Sequence, residues 1–229
     1  MRSLVVTLIL VACAAIQARA AAVTITTPGF EDDLGTVGGP GGWSNNAPTG
    51  WIDPQGNDNT NFIENISSFA SEGQLHLGFD ANELGFVYQD LTAAWAPNTA
   101  YTFVVGVGNR AGTGAGTGRF GLGTSLDPVA PAVNLGGDGP YVLHTPSVFF
   151  SDLNTSTVAP TGGTFADATF SFSTGAVAPA GNIRISVQSI DGVRIHVDNF
   201  RLDAVTIPEP SALVTLGLAA GLLMRRRRA

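Results

Sequence analysis

The chain has 229 residues, 44% apolar and only 13% charged, with 29 glycines and 13 prolines, which excludes a disordered acidic chain and suits a loop-rich β protein. It contains no lysine, and its central region, Ala21 to Thr206, sets five arginines against 17 acidic residues, a formal charge of about −12. So acidic a surface repels phosphate backbones, arguing against nucleic acid and favouring cations or neutral glycans as ligands.

In chain order, the N-terminus reads as a secretory signal peptide over residues 1–20. Arg2 supplies the basic start, Leu4 to Ile16 the apolar run, and Ala18-Arg19-Ala20 the small-x-small cleavage pattern, so the mature chain is expected to start at Ala21. Leu10-Val11-Ala12-Cys13 also resembles a lipobox. Cys13 is the only cysteine, and cleavage after Ala20 leaves no thiol for disulfides, cysteine–zinc sites or thiol catalysis.

Residues 21–206 show period-two alternation and no helical periodicity. Leu75, Leu77 and Phe79 alternate with His76 and Gly78. Phe86 to Leu91, Tyr101 to Val107, and Arg119 to Leu122 read as further strands, the last two separated by a glycine-rich loop from Gly106. Phe165, Phe170 and Phe172 mark another. Ile183 to Gln188 and Val193 to Val197 flank Asp191-Gly192, a pair suited to a type I′ hairpin turn. Eight to ten short strands predict an all-β, antiparallel jelly-roll β-sandwich, flanked by the signal peptide and a C-terminal hydrophobic helix.

Three stretches resemble galactose-binding-like and carbohydrate-binding-module-like jelly rolls: Thr27-Pro28-Gly29-Phe30-Glu31 with Gly50-Trp51, Tyr88 to Leu91 with Ala96 to Phe103, and Val197-Asp198-Asn199-Phe200-Arg201-Leu202. The resemblance implies a strand pair around Tyr88 to Phe103 and a structural Ca²⁺ between the first and last strands, held by Glu31 and Asp198. Carboxylate oxygens suit that ion, which also relieves their mutual repulsion. Asp53 to Asn61 fails as an EF-hand, since Phe62 and Ser68 stand where glycine and glutamate are needed. Gly116 to Gly121 matches G-x-G-x-x-G without a following helix, so it reads as a loop.

No Gly-x-Ser-x-Gly elbow occurs, and His76, His144 and His196 are far apart in sequence. His76 and His196 alternate with apolar residues, which makes each a polar-face strand residue. Trp43, Trp51, Trp95 and Tyr88 are the aromatics able to stack on a sugar ring. Trp51 is expected in the core, whereas Trp43, in a Gly-Gly loop, is the ligand-binding candidate.

The C-terminus, residues 207–229, carries Pro208, Glu209 and Pro210, an apolar run Ala212 to Met224, then Arg225, Arg226, Arg227 and Arg228. Thirteen helical residues span about 20 Å, short of the roughly 30 Å hydrocarbon core, and the arginines favour the cytoplasmic side. This order resembles the PEP-CTERM sorting signal. The resemblance implies a membrane exosortase as processing partner, transient residence in the inner membrane, and delivery to the cell surface or extracellular matrix among extracellular polysaccharide. The expectation is a non-catalytic glycan-binding or matrix-associated module. The alternatives are a structural matrix protein without a ligand or a glycan-active hydrolase, which needs two carboxylates at glycosidase spacing.

Overall fold

The computed structural model describes residues 20–54, 61–80, 84–129 and 144–208. The described strands are β1 (Ala21–Ala22), β2 (Trp43–Ser44), β3 (Asn61–Asn65), β4 (Leu75–Phe79), β5 (Phe86–Ala94), β6 (Thr99–Asn109), β7 (Thr117–Thr124), β8 (Phe149–Asn154), β9 (Thr164–Ser173), β10 (Asn182–Ser189) and β11 (Ile195–Thr206). They form two sheets, ordered β2-β3-β4-β11-β6-β9 with β1 against β11, and β5-β10-β7-β8. Every pairing is antiparallel. The all-β sandwich is therefore as expected, and it resembles jelly-roll folds; residues 1–19 and 209–229, with the signal peptide, Cys13 and most of the sorting tail, lie outside the described residues.

Alternation decides what enters the space between the sheets. Leu75, Leu77 and Phe79 of β4 face it from one side, as do Tyr101, Phe103, Val105 and Val107 of β6, all of them buried. Ile183, Ile185 and Val187 of β10 face it from the other. An aromatic cluster closes the centre: Trp51 lies 4.8 Å from Phe200 and 5.8 Å from Phe30, ring to ring, and Phe103 lies 6.2 Å from Phe200. Trp51 is buried, as its place after the Gly50 turn suggests.

The closing strand is bent at Asp198-Asn199, where its pairing with β6 shifts register and Asn199 takes φ +49°. Asparagine is among the few side chains that tolerate that region. The bend lets Phe200 N–H donate to Pro28 O at 3.0 Å, which crosses the opening segment over the last strand.

Two expectations about neighbours are corrected. Asp191-Gly192 does not close a hairpin: β10 pairs with β5 and β7, β11 with β4 and β6, so the turn carries the chain from one sheet to the other. The Asp191 carboxylate accepts from Val193 N–H within the turn and from Thr117 N–H of β7. β5 and β6 likewise lie in opposite sheets rather than forming a pair. Alternation dictates which face is buried, but not which strand lies alongside.

The glycine-rich stretch is also mostly strand. Gly106 and Gly108 belong to β6, and Gly118, Gly121 and Gly123 to β7. A Cβ on Gly108 would stand 2.5 Å from Phe165 Cζ, and one on Gly121 2.1 Å from Pro146 Cγ, so neighbouring rings occupy the room that side chains would need.

The expected inner-membrane tether is corrected too. No helix among the described residues is long and apolar enough to cross a membrane, and the run Ala212 to Met224 on which that tether rested lies outside them.

The packing predicts that Phe200→Ala lowers unfolding free energy by about 3–5 kcal/mol in urea denaturation, because it empties the centre of the aromatic cluster. A loss below about 1 kcal/mol would contradict that assignment.

Candidate functional site

The outer face of the larger sheet carries the chemistry. On β3, Phe62 and Glu64 point away from the core; on β4, His76 and Gly78; on β11, His196; on β6, Gly106 and Gly108. Register aligns them: Glu64 is opposite His76, Phe62 opposite Gly78, and His196 lies between Gly78 and Gly108. Polar residues on an outer face ordinarily meet water. Here His76 and His196 are each 0% exposed.

Three phenylalanines cover them. Phe69, from the short helical turn Ser67–Phe69, sits 5.2 Å from the His76 ring and 5.1 Å from His196. Phe62 approaches His196 at 5.9 Å and Phe165 approaches His76 at 5.9 Å. Phe62 lies over Gly78 as Phe165 does over Gly108, each ring in the gap left by a missing Cβ. The imidazoles are 5.0 Å apart, and none of their four nitrogens has a hydrogen-bond partner. The nearest approach is Glu64 Oε2, 3.5 Å from His76 Nε2.

Glu64, His76 and His196 present donor atoms within 4.8 Å of one another. Burial, followed by electrostatic repulsion from His76, Arg110 and Arg194, pushes the His196 imidazole well below its ordinary value, so it is neutral. Burial pushes Glu64 upward, but contact with His76 and the Arg110 charge together outweigh it and hold the carboxyl below its ordinary value. Both groups are thus in the deprotonated form that binds a metal. Two imidazoles and one carboxylate suit a transition metal rather than calcium, which prefers a shell of oxygens.

Glu64 also opens onto a cleft of about 480 Å³, lined by Trp43, Asn45, Phe62, Glu64, Asp80, Arg110 and Arg194. Arg110 Nη1 donates to Glu64 Oε2 at 2.7 Å, and Arg194 pairs with Asp80 while its guanidinium lies over the Phe62 ring. Trp43 is 62% exposed, whereas Trp51 and Trp95 are 5% exposed, so of the tryptophans it alone offers its ring to a ligand.

The expected pair Glu31 and Asp198 does approach, and both serve one loop. Glu31 Oε1 accepts from Gln74 and Leu75 N–H, each at 2.8 Å. Asp198 Oδ2 accepts from Ser71 and Glu72 N–H, and its Oδ1 from Asn199 N–H. Burial pushes the Asp198 carboxyl up to about 7, against those three hydrogen bonds and with the Glu31 charge adding to the rise. The structural Ca²⁺ expectation is corrected by the histidine cluster: the donor set that converges among the described residues is Glu64, His76 and His196. Sequence reading missed all three, with Phe62, Arg110 and Arg194. His76 and His196 were visible as polar residues inside apolar strands, but only the adjacency of β4 and β11 joins them.

No curated protein matches the chain. Among solved structures it is similar to the TmCBM61 module in complex with β-1,4-galactotriose (14% identity, 80% of this chain and 98% of that one, TM-score 0.44). It is also similar to the CBM22-1–CBM22-2 tandem of Paenibacillus barcinonensis Xyn10C (12%, 85% and 49%, TM-score 0.46) and to a xylan-binding domain of carbohydrate-binding module family 22 (12%, 85% and 99%, TM-score 0.43).

The family model described as HpiC1-like, HpiC1 cyclase, matches residues 21–203. With the buried donor cluster, that match overturns the expectation of a non-catalytic glycan-binding or matrix module, and of no enzymatic activity. It also replaces the PEP-CTERM identity; Glu209 to Arg228 lie outside the described residues, and nothing found supports an exosortase partner or the surface delivery built on it. The chain belongs to the HpiC1-like cyclase family.

Proposed function

We propose that this chain is a cyclase whose reaction takes place in the cleft that Glu64 lines, with a divalent transition metal held by Glu64, His76 and His196. The observation that carries the reading is the unpartnered histidine pair. A buried polar group left without a hydrogen bond costs about 1–3 kcal/mol. The apolar cover of Phe62, Phe69 and Phe165 offers the imidazole nitrogens no partner, whereas a bound ion would engage one nitrogen of each ring together with Glu64.

Ring closure joins two atoms of one molecule, so the protein's task is to hold that molecule folded and to steady developing charge. Trp43 supplies an exposed apolar wall that favours a folded substrate, and its ring face attracts cationic character. A metal held by Glu64, His76 and His196 would supply Lewis acidity behind the cleft wall that Glu64 forms. Arg110 keeps Glu64 ionised and oriented through its 2.7 Å contact. Phe69 and Phe165 shut water away from the imidazoles.

Titrating the full chain with Co²⁺ should develop the visible absorption bands of a nitrogen-and-oxygen-ligated ion, at one site per chain. His76→Ala, His196→Ala and Glu64→Gln should each abolish them while leaving the far-ultraviolet circular dichroism of the sandwich intact. Absent bands in the wild-type chain, or bands that survive both histidine substitutions, would falsify the reading.

The same burial predicts an acid limb in stability. His196 titrates lower when folded than when unfolded, so its contribution is present above about pH 6.5 and is lost as pH falls below it. Asp198 works oppositely: its contribution is complete below the ordinary carboxylate range and is lost as pH rises through about 7. Comparing metal-free wild type with His196→Leu isolates the first effect. Going from pH 7 to pH 5, the urea midpoint of the wild type should fall relative to that of the variant; parallel curves would refute a buried neutral His196.

A further inference from the structure

Among the described residues of this lysine-free chain, Arg201 pairs with Asp167, and the other four arginines fall into two groups. On the smaller sheet, Arg119 gives Nε and Nη2 to Asp152 and Nη1 to His144 O, and Arg184 gives Nε and Nη2 to Asp90 and Nη1 to Asp127 O. Both forks are fully engaged. The two arginines of the cleft are engaged through one nitrogen each, Arg110 by Nη1 to Glu64 and Arg194 by Nη2 to Asp80. Among the described residues their remaining guanidinium nitrogens have no further partner, and both side chains are more than a quarter exposed where they line the cleft.

A guanidinium fork with spare donors is matched in shape and charge to a carboxylate or phosphate. Beside it, Trp43 presents exposed ring surface, and the Arg194 guanidinium lies 5.2 Å from the centroid of the buried Phe62 ring, which holds it at the cleft wall. Charge decides the sign of the ligand. Glu64 and Asp80 balance Arg110 and Arg194, so a divalent ion on Glu64, His76 and His196 leaves the cleft positive within an otherwise acidic protein.

We propose that the cleft takes an apolar, ring-bearing molecule carrying one oxyanion, with the body against Trp43 and the oxyanion on the spare donors of Arg110 and Arg194. The inference deepens the metal-dependent reading and rests on it for one component: metal and anion bind cooperatively, each raising the affinity of the other by the same factor.

Calorimetry on the full chain tests it with 1-naphthoate, 1-naphthyl phosphate and the uncharged 1-naphthalenemethanol, each with and without Zn²⁺. An oxyanion probe should bind at least about tenfold more tightly than the alcohol, and the better of the two anions distinguishes a carboxylate from a phosphate ligand. Arg110→Gln and Arg194→Gln should each remove most of that preference, and Arg194→Lys should restore part of it by keeping the charge without the fork. Trp43→Ala should weaken all three probes alike. Equal affinity for anion and alcohol in the wild type, or no binding of any probe, overturns the inference whatever the variants do. Failure of the metal reading is separable: Zn²⁺ would then leave probe affinity unchanged while the anion preference and its loss in Arg110→Gln persist.

Discussion

Two buried imidazoles on the outside of a sheet require something to cover them, and in this protein missing Cβ atoms make the cover possible. His196 sits between Gly78 and Gly108 in the ladder, and the rings of Phe62 and Phe165 lie over those two glycines. Phe69 arrives from a loop to close the top. Placing a side chain at Gly78 or Gly108 would drive an aromatic ring outward and expose the histidines. The chemistry of the site therefore depends on glycine as much as on the donor residues. It explains why β6 carries Gly108 within a strand, where glycine is otherwise unfavourable, while Gly106 leaves room for Ser71 of the loop.

The loop that brings Phe69 is itself fixed from below. Asp198 and Glu31 accept backbone N–H groups from Ser71 to Leu75, the segment that joins the Phe69 turn to β4. The carboxylates flanking the opening and closing strands thereby act on the outer-face site through the backbone. The Asp198-Asn199 bend serves the same arrangement, because it turns Asp198 toward the loop while Phe200 enters the core. One short stretch of the last strand thus contributes a donor at His196, a loop anchor at Asp198 and a core ring at Phe200.

Much of the sandwich was legible because period-two alternation is local: a run such as Ile183 to Gln188 displays its buried face without reference to any other strand. The exposed Trp43 and the buried Trp51 were legible for a similar reason, one lying in a glycine loop and the other following a turn. Strand partners were not, and the Asp191-Gly192 pair looked like a hairpin because its dihedral preferences also suit a crossing between sheets. The candidate site was hidden by the same limit. Glu64, His76 and His196 span more than a hundred residues, and each looks ordinary within its own strand. The resemblance at Glu31 and Asp198 concerns the loop side of the closing strand, whereas the nitrogen donors lie on the outer face of the sheet, His196 on that same strand and His76 on the adjacent β4.

The central claim is that the histidine pair is buried in order to hold an ion. Anomalous diffraction from crystals of the full chain grown with Zn²⁺ tests it most directly. The account predicts a peak bonded to one nitrogen from each of His76 and His196 and to a Glu64 oxygen, at roughly 2.0–2.2 Å. A map with no peak between those residues, with both imidazoles still packed beneath Phe69, would contradict it.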